Sequence, residues 1–260
     1  MIRSVVLIGS GNVAESLAQA LAACDGVELL QLYARNRTRG AALSALTGCP
    51  HVSDPAELNT KADLYLISVS DRAVEEVAHT LPIPHSALVA HTAGSVPLDA
   101  LKPYPHRAIF YPFQGFSAGR KADFRQIPLF LEVADKADRG VLEPFARLLS
   151  DLVFEADSTR RKQIHLAGVI ANNFVNQLYA TATDLLAEAG LPYEVLKPLI
   201  RETALKALDA THPARVQTGP AKRGDRATQE GHLALLEGNA PMQQIYELLS
   251  QEIWETSKKI

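Results

Sequence analysis

Short apolar runs and amphipathic stretches alternate along the first part of the chain. Runs at 4–8, 28–34, 64–69, 87–91, 108–111, 128–133 and 152–155 have strand length and are near-continuously apolar. Between them, 13–23, 38–46, 72–81 and 137–149 carry the period of helices with one buried face. Strands apolar on both faces and separated by helices predict an α/β fold: a doubly wound parallel sheet covered on both sides. After Asp157 the pattern becomes wholly helical, over 159–189, 193–209, 226–236 and 242–258. Asp157 or Ser158 is placed to cap the first of these helices and Gly190 to end it. The boundary is therefore set near residue 157, with an α/β domain over 1–157 and an all-helical domain over 158–260.

The helix over 159–189 has a consequence of its own. About 31 residues extend roughly 46 Å, more than a helical domain of about 100 residues covers by itself. Interleaving with the same helix of a second copy is the expected remedy, which predicts a homodimer. The competing reading is a solitary helix packed only on the α/β domain.

Composition removes several classes. With 47% hydrophobic and 21% charged residues the chain reads as an ordinary soluble protein. A formal charge of −3, with no basic stripe interleaved with aromatics, argues against nucleic acid as a partner. No apolar run approaches the ~18 residues of a membrane span. Cys24 and Cys49 share no metal-ligand spacing, which argues against a zinc site and suits a reducing compartment. The first strand begins almost at once, leaving no room for a cleavable leader, so a cytoplasmic protein is expected.

Candidate chemistry begins at the end of the first strand. Gly9-Ser10-Gly11-Asn12-Val13-Ala14 follows an apolar strand and opens a helix, the context in which G-x-G-x-x-G/A binds dinucleotides. Gly9 permits the tight turn, Gly11 lets the backbone approach a pyrophosphate, and Ala14 allows close helix–strand packing. The free N–H groups of the helix start would face the phosphates. At the tip of the second strand an acid would select NAD, whereas arginine accommodates the 2′-phosphate of NADP. Here the tip reads Arg35-Asn36-Arg37-Thr38-Arg39, so NADP is expected, against the plainer reading of a solvated basic loop. The third strand runs into Val69-Ser70-Asp71, where the backbone of Val69 and Ser70 is placed to line the nicotinamide ribose and Asp71 to cap the next helix. The fourth ends His91-Thr92-Ala93-Gly94-Ser95. His91 is either a structural hydrogen bonder or a substrate-side group, and Ser95 reads as the cap of a short helix near Pro97.

On the long helix, His165, Val169, Asn172, Asn173 and Asn176 recur on one face within an apolar run. Embedded polar groups need partners, either a substrate or another subunit. His165 has the chemistry to donate a proton as hydride arrives, and Asn172 to orient the substrate. Further on, Gln217-Thr218-Gly219-Pro220-Ala221-Lys222-Arg223-Gly224-Asp225 precedes a helix and is a candidate anion receptor for an acidic small-molecule substrate or for cofactor phosphates. The alternative is an Arg223–Asp225 contact that shapes a turn.

These pieces together resemble a known group. The glycine turn, the arginine tip, His91-Thr92-Ala93-Gly94-Ser95, His165…Asn172-Asn173-Phe174 and Thr218-Gly219-Pro220…Arg223-Gly224-Asp225 are similar to the Rossmann-like proteins with a C-terminal domain of unknown function, often labelled NADP oxidoreductases. The architecture is also similar to pyrroline-5-carboxylate reductase and the 3-hydroxyisobutyrate dehydrogenase superfamily. That resemblance implies hydride transfer at the domain junction and dimerisation through the helical domain. Two departures stand out. The hydroxyacid dehydrogenases carry a catalytic lysine on the long helix, where this chain has His165 with Lys162 nearly one turn earlier. The reductase's Ser/Thr-Pro-Gly-Gly-Thr turn is replaced by Thr218-Gly219-Pro220-Ala221-Lys222. The expectation is an NADP-dependent oxidoreductase acting on a small carbonyl or imine, with catalytic candidates His165, Asn172 and His91. The rival from another class is a non-catalytic NADP-binding sensor, which would tolerate loss of His165 and Asn172.

Overall fold

A computed structural model describes the whole chain, Met1–Ile260. Eight strands form one sheet: β1 (Ser4–Ile8), β2 (Glu28–Tyr33), β3 (His51–Val52), β4 (Leu64–Ile67), β5 (Leu88–His91), β6 (Arg107–Pro112), β7 (Leu129–Val133) and β8 (Val153–Glu155). Their order across the sheet is β3-β2-β1-β4-β5-β6-β7-β8. Side-chain alternation sends Val5, Leu7, Leu64 and Leu66 into one core and Val6, Ile8, Tyr65 and Ile67 into the other. The first core is closed by α1 (Asn12–Ala22) and α2 (Arg37–Thr47), the second by α3 (Val74–Thr80). A further helix, α4 (Lys136–Leu149), packs Leu142, Phe145 and Leu149 onto the first. Each such side chain, taken fully out of water, contributes about 2 kcal/mol toward the fold.

Two sheet features differ from the expected pattern. Strand β7 runs antiparallel to β6, whereas every other neighbouring pair is parallel. A parallel return needs a long crossover, usually a helix, and between β6 and β7 there is only a short 3-10 turn at Phe124–Gln126, so the chain comes back the other way. Strand β3 is a two-residue edge strand, too short to show in a hydrophobic pattern.

Beyond the sheet the chain is helical from Ser158 to Glu188 without a break: α5 (Ser158–Gly168), a π-helical segment (Val169–Phe174) and α6 (Val175–Glu188). Asp157 caps its start, accepting from Arg160 N–H at 2.8 Å, and Gly190 follows its end at φ +74°. The chain divides into two compact units, Met1–Asn176 and Gln177–Ile260. The division falls inside the long helix rather than at Asp157 because α5 is anchored to the sheet. Arg161, 1% exposed, pairs with Glu132 of β7 and donates to the Val96 carbonyl at 2.6 Å.

The second unit continues with α7 (Lys197–Asp209), α8 (Pro220–Arg223), α9 (Arg226–Leu235) and α10 (Ala240–Ser257). Within it only Ala221 and Leu236 are buried, and Leu185, Leu199, Leu208, Leu235 and Leu248 are exposed. No helix of the chain is long and apolar enough to cross a membrane.

Candidate functional site

The sheet order reverses direction at β1, which pairs with β2 on one side and β4 on the other. Ligands of open α/β sheets bind outside the carboxyl ends of strands at such a switch point. Gly9 sits there with φ +130°, and a Cβ on it would lie 2.0 Å from the Ser68 carbonyl oxygen at the end of β4. Only glycine is accommodated. Gly11 is different, for its backbone is extended (φ −76°, ψ −179°) and a Cβ would meet nothing within 4 Å. The fold does not require glycine at position 11, but a ligand lying on the backbone there would.

Above these residues opens a cavity of about 680 Å3. It is lined by Gly9, Ser10, Gly11, Asn12 and Val13 from the turn, by Arg35 and Asn36 from the end of β2, and by Val69 and Ser70 after β4. The structure thus brings nearly all the expected cofactor residues to one cleft. Asn36 caps α2, its Oδ1 accepting from Arg39 N–H at 3.0 Å, which leaves its amide nitrogen to donate. Arg35 lies 3.7 Å from Glu76, with both side chains more than half exposed, a weak pair that leaves the guanidinium available. Arg37 does not line the cleft: its Nε donates to Ser53 Oγ at 3.1 Å. Asn12 reaches the other way, donating to the Phe116 carbonyl at 3.2 Å and so holding the segment after β6 over the glycine turn.

The far wall departs from the sequence expectations. Asp71 does not cap a helix; its carboxylate accepts from the hydroxyl of Ser95. Ser95 therefore caps nothing, and the short 3-10 turn Leu98–Leu101 starts from Pro97. His91 is fully buried, and both ring nitrogens face backbone. Ala93 N–H donates to its Nδ1 at 3.2 Å, which puts the proton on Nε2, facing the Pro97 carbonyl at 3.4 Å. Burial pulls its pKa down to about 4, so the ring is neutral. The structure gives His91 the structural role: it shapes the 91–97 turn and does not line the cleft.

His165 is brought to the site. Its Nδ1 lies 3.2 Å from Tyr111 Oη, and both residues line the large cavity. Tyr111 was hidden from sequence reasoning inside the apolar run of β6, where an aromatic reads as core. Burial, helped by Asp71 and opposed by Arg161, pushes its phenol up to about 12. Beside it lies a second cavity of about 210 Å3, where Asn172 and Asn173 appear together with Gly168 and Val169. The expected helical face is changed here by the π segment, whose i→i+5 bonding replaces the α period. Gly168 and Ala171 join the lining and Asn176 does not. In the second unit, Asp225 uses its carboxylate on the start of α9, accepting from Thr228 N–H at 3.2 Å and Oγ1 at 2.8 Å. The start of α9 is thus capped by the chain's own carboxylate, and Lys222 and Arg223 form the last turn of α8.

Comparisons with known proteins agree with this architecture. Residues 4–94 match the family model described as NADP oxidoreductase, coenzyme F420-dependent, and 127–253 match a domain of unknown function, DUF2520. No curated protein matches the chain. Among solved structures, a candidate NADP oxidoreductase from Bacteroides fragilis is 40% identical, with 98% of each chain covered and a TM-score of 0.90. An imine reductase from Streptomyces aurantiacus (13% identity, 99% of each chain, TM-score 0.68) shares the fold. So does a pyrroline-5-carboxylate reductase from Coxiella burnetii (16% identity, 100% of this chain and 98% of that one, TM-score 0.59). The chain belongs to the pyridine-nucleotide oxidoreductase family that joins a Rossmann domain of this type to a DUF2520 C-terminal domain.

Proposed function

We propose that this protein is a cytoplasmic, homodimeric oxidoreductase that uses NADP(H) to reduce a small carbonyl or imine substrate. The observation that carries the reading is the open space over Gly11 in the same cavity as Arg35 and Asn36. The turn at Gly9–Val13 offers backbone N–H groups to a pyrophosphate, and Arg35 with the Asn36 amide offers donors to a 2′-phosphate. Val69 and Ser70 would border the ribose next to the nicotinamide. When bound, the reduced cofactor supplies hydride.

His165 passes a proton at the edge of the cleft, and Asn172 orients the substrate. Cofactor sensing alone would need only the larger cavity. The second one, sharing His165 and Tyr111 with the first, supports turnover. Titrating the purified protein with NADPH tests the reading, with saturation at one nucleotide per chain expected. Absence of binding would remove the proposal.

The homodimer has support in the second unit, whose exposed leucines a second copy would cover.

A further inference from the structure

The two cavities share a wall made by Tyr111, Gln114 and His165. The polar groups of the smaller one are a phenol, an imidazole and carboxamides, and no lysine, arginine, aspartate or glutamate lines it. Gln114 commits its Oε1 to Gly115 N–H at 3.0 Å, which leaves its amide nitrogen to donate. Two glycines keep the space open. A Cβ at Gly115 would stand 2.7 Å from Asn172 Nδ2, and one at Gly168 would stand 2.6 Å from the Phe113 ring. On the far side Gly94 presses against the Tyr111–His165 pair, where a Cβ would come within 2.7 and 2.8 Å of the two rings.

This donor set discriminates between substrates. A carboxylate entering the cavity would lose water and gain no cation, and an iminium ion would gain no anion. A carbonyl oxygen has two lone pairs and gathers negative charge as it is reduced, which suits the neutral phenol and carboxamide donors of this wall. Resting on the oxidoreductase reading above, we propose that the smaller cavity takes a compact, uncharged carbonyl compound, with Tyr111 Oη donating the proton to its oxygen and His165 relaying the next proton to Tyr111.

The step balances. The reduced nicotinamide supplies a hydride to the carbonyl carbon and is oxidised, while the π pair of the C=O bond moves to oxygen. An O–H bond forms there as the Tyr111 O–H bond breaks. The neutral Nδ1–H tautomer of His165 passes its proton to Tyr111 as its Nε2 takes one from water, so the carbonyl becomes an alcohol with one proton consumed. Burial keeps the phenol protonated up to about 12, which suits an acid whose acceptor is an alkoxide. The charged or titratable groups acting on it are Asp71, Arg161 and His165.

Ethyl pyruvate, pyruvate and 2-methyl-1-pyrroline test this as an uncharged ketone, its carboxylate counterpart and an imine. With NADPH, ethyl pyruvate is expected to be reduced with kcat/KM at least about tenfold above the other two. Tyr111→Phe should lower kcat by about a hundredfold or more while KM and NADPH affinity stay within about twofold. His165→Gln should lower kcat less than Tyr111→Phe does. Without any nucleotide, ethyl pyruvate should shift the His165 ring resonances in NMR spectra and pyruvate should not. Preference for pyruvate or the imine, an unchanged kcat in Tyr111→Phe, or an unmoved His165 signal would overturn the proposal. NADPH binding with none of the three probes reduced would overturn it while leaving the cofactor reading intact. Failure to bind NADPH would overturn both.

Discussion

Gly9 and Gly11 lie two residues apart in one turn and are glycine for different reasons. At Gly9 the fold forbids a side chain, through a φ of +130° and a 2.0 Å approach to the Ser68 carbonyl. At Gly11 the backbone suits any residue and the space is open. Gly9→Ala should therefore lower Tm by many degrees, whereas Gly11→Ala should keep the wild-type Tm and lose nucleotide binding. Equal Tm losses in the two variants would contradict the cradle reading. His91 makes a second point at this scale. Its neutral, buried ring is held near pKa 4, against about 6.5 when unfolded. Between those values the unfolded chain binds the proton and the folded one does not, so stability falls as pH drops from about 6.5 to about 4 and levels off below. The loss amounts to roughly 3 kcal/mol, and urea unfolding of His91→Asn should lack that slope even where the variant is weaker overall. From the sequence, His91 stood equally for structure or substrate, because a histidine at a strand end is compatible with both. Only the Ala93 N–H and the Pro97 carbonyl decide.

Elements were legible in proportion to how strongly burial patterns them. The runs at β1, β4 and β5 sit within two residues of their observed limits because both of their faces are buried. The direction of β7 was not legible, since an apolar run reads the same either way along a sheet. Nor was the π segment, which changes backbone hydrogen bonding without changing residue hydrophobicity. Tyr111 was missed for a related reason, as it becomes chemical only when α5 lays His165 against the end of β6. What places α5 there is the buried Arg161, bonded to Glu132, Ser158 and the Val96 carbonyl. Arg161→Leu leaves Glu132 without its cation, only the Ser158 hydroxyl still donating to it, and should cost about 3 kcal/mol in urea unfolding. Arg161→Lys should recover little of this, because an ammonium lacks the fork that spans carboxylate and carbonyl together. Full recovery by lysine would show that charge alone anchors the helix.

For the whole molecule, the two compact units differ in how they are stabilised. Met1–Asn176 has two continuous cores on either side of one sheet. Gln177–Ile260 fully buries only Ala221 and Leu236 within a single chain. Light scattering at micromolar concentration should accordingly report about twice the 28.2 kDa chain mass. A mass of one chain would contradict the homodimer. The central claim is the nucleotide in the Gly9–Gly11 cleft with its 2′-phosphate on Arg35. The most direct measurement is calorimetric titration of the wild type and Arg35→Ala with NADPH and NADH side by side. NADPH should bind the wild type at least about tenfold more tightly than NADH, and Arg35→Ala should remove most of that preference while leaving NADH unchanged. Equal affinities in the wild type, or equal losses for both nucleotides in the variant, would contradict it.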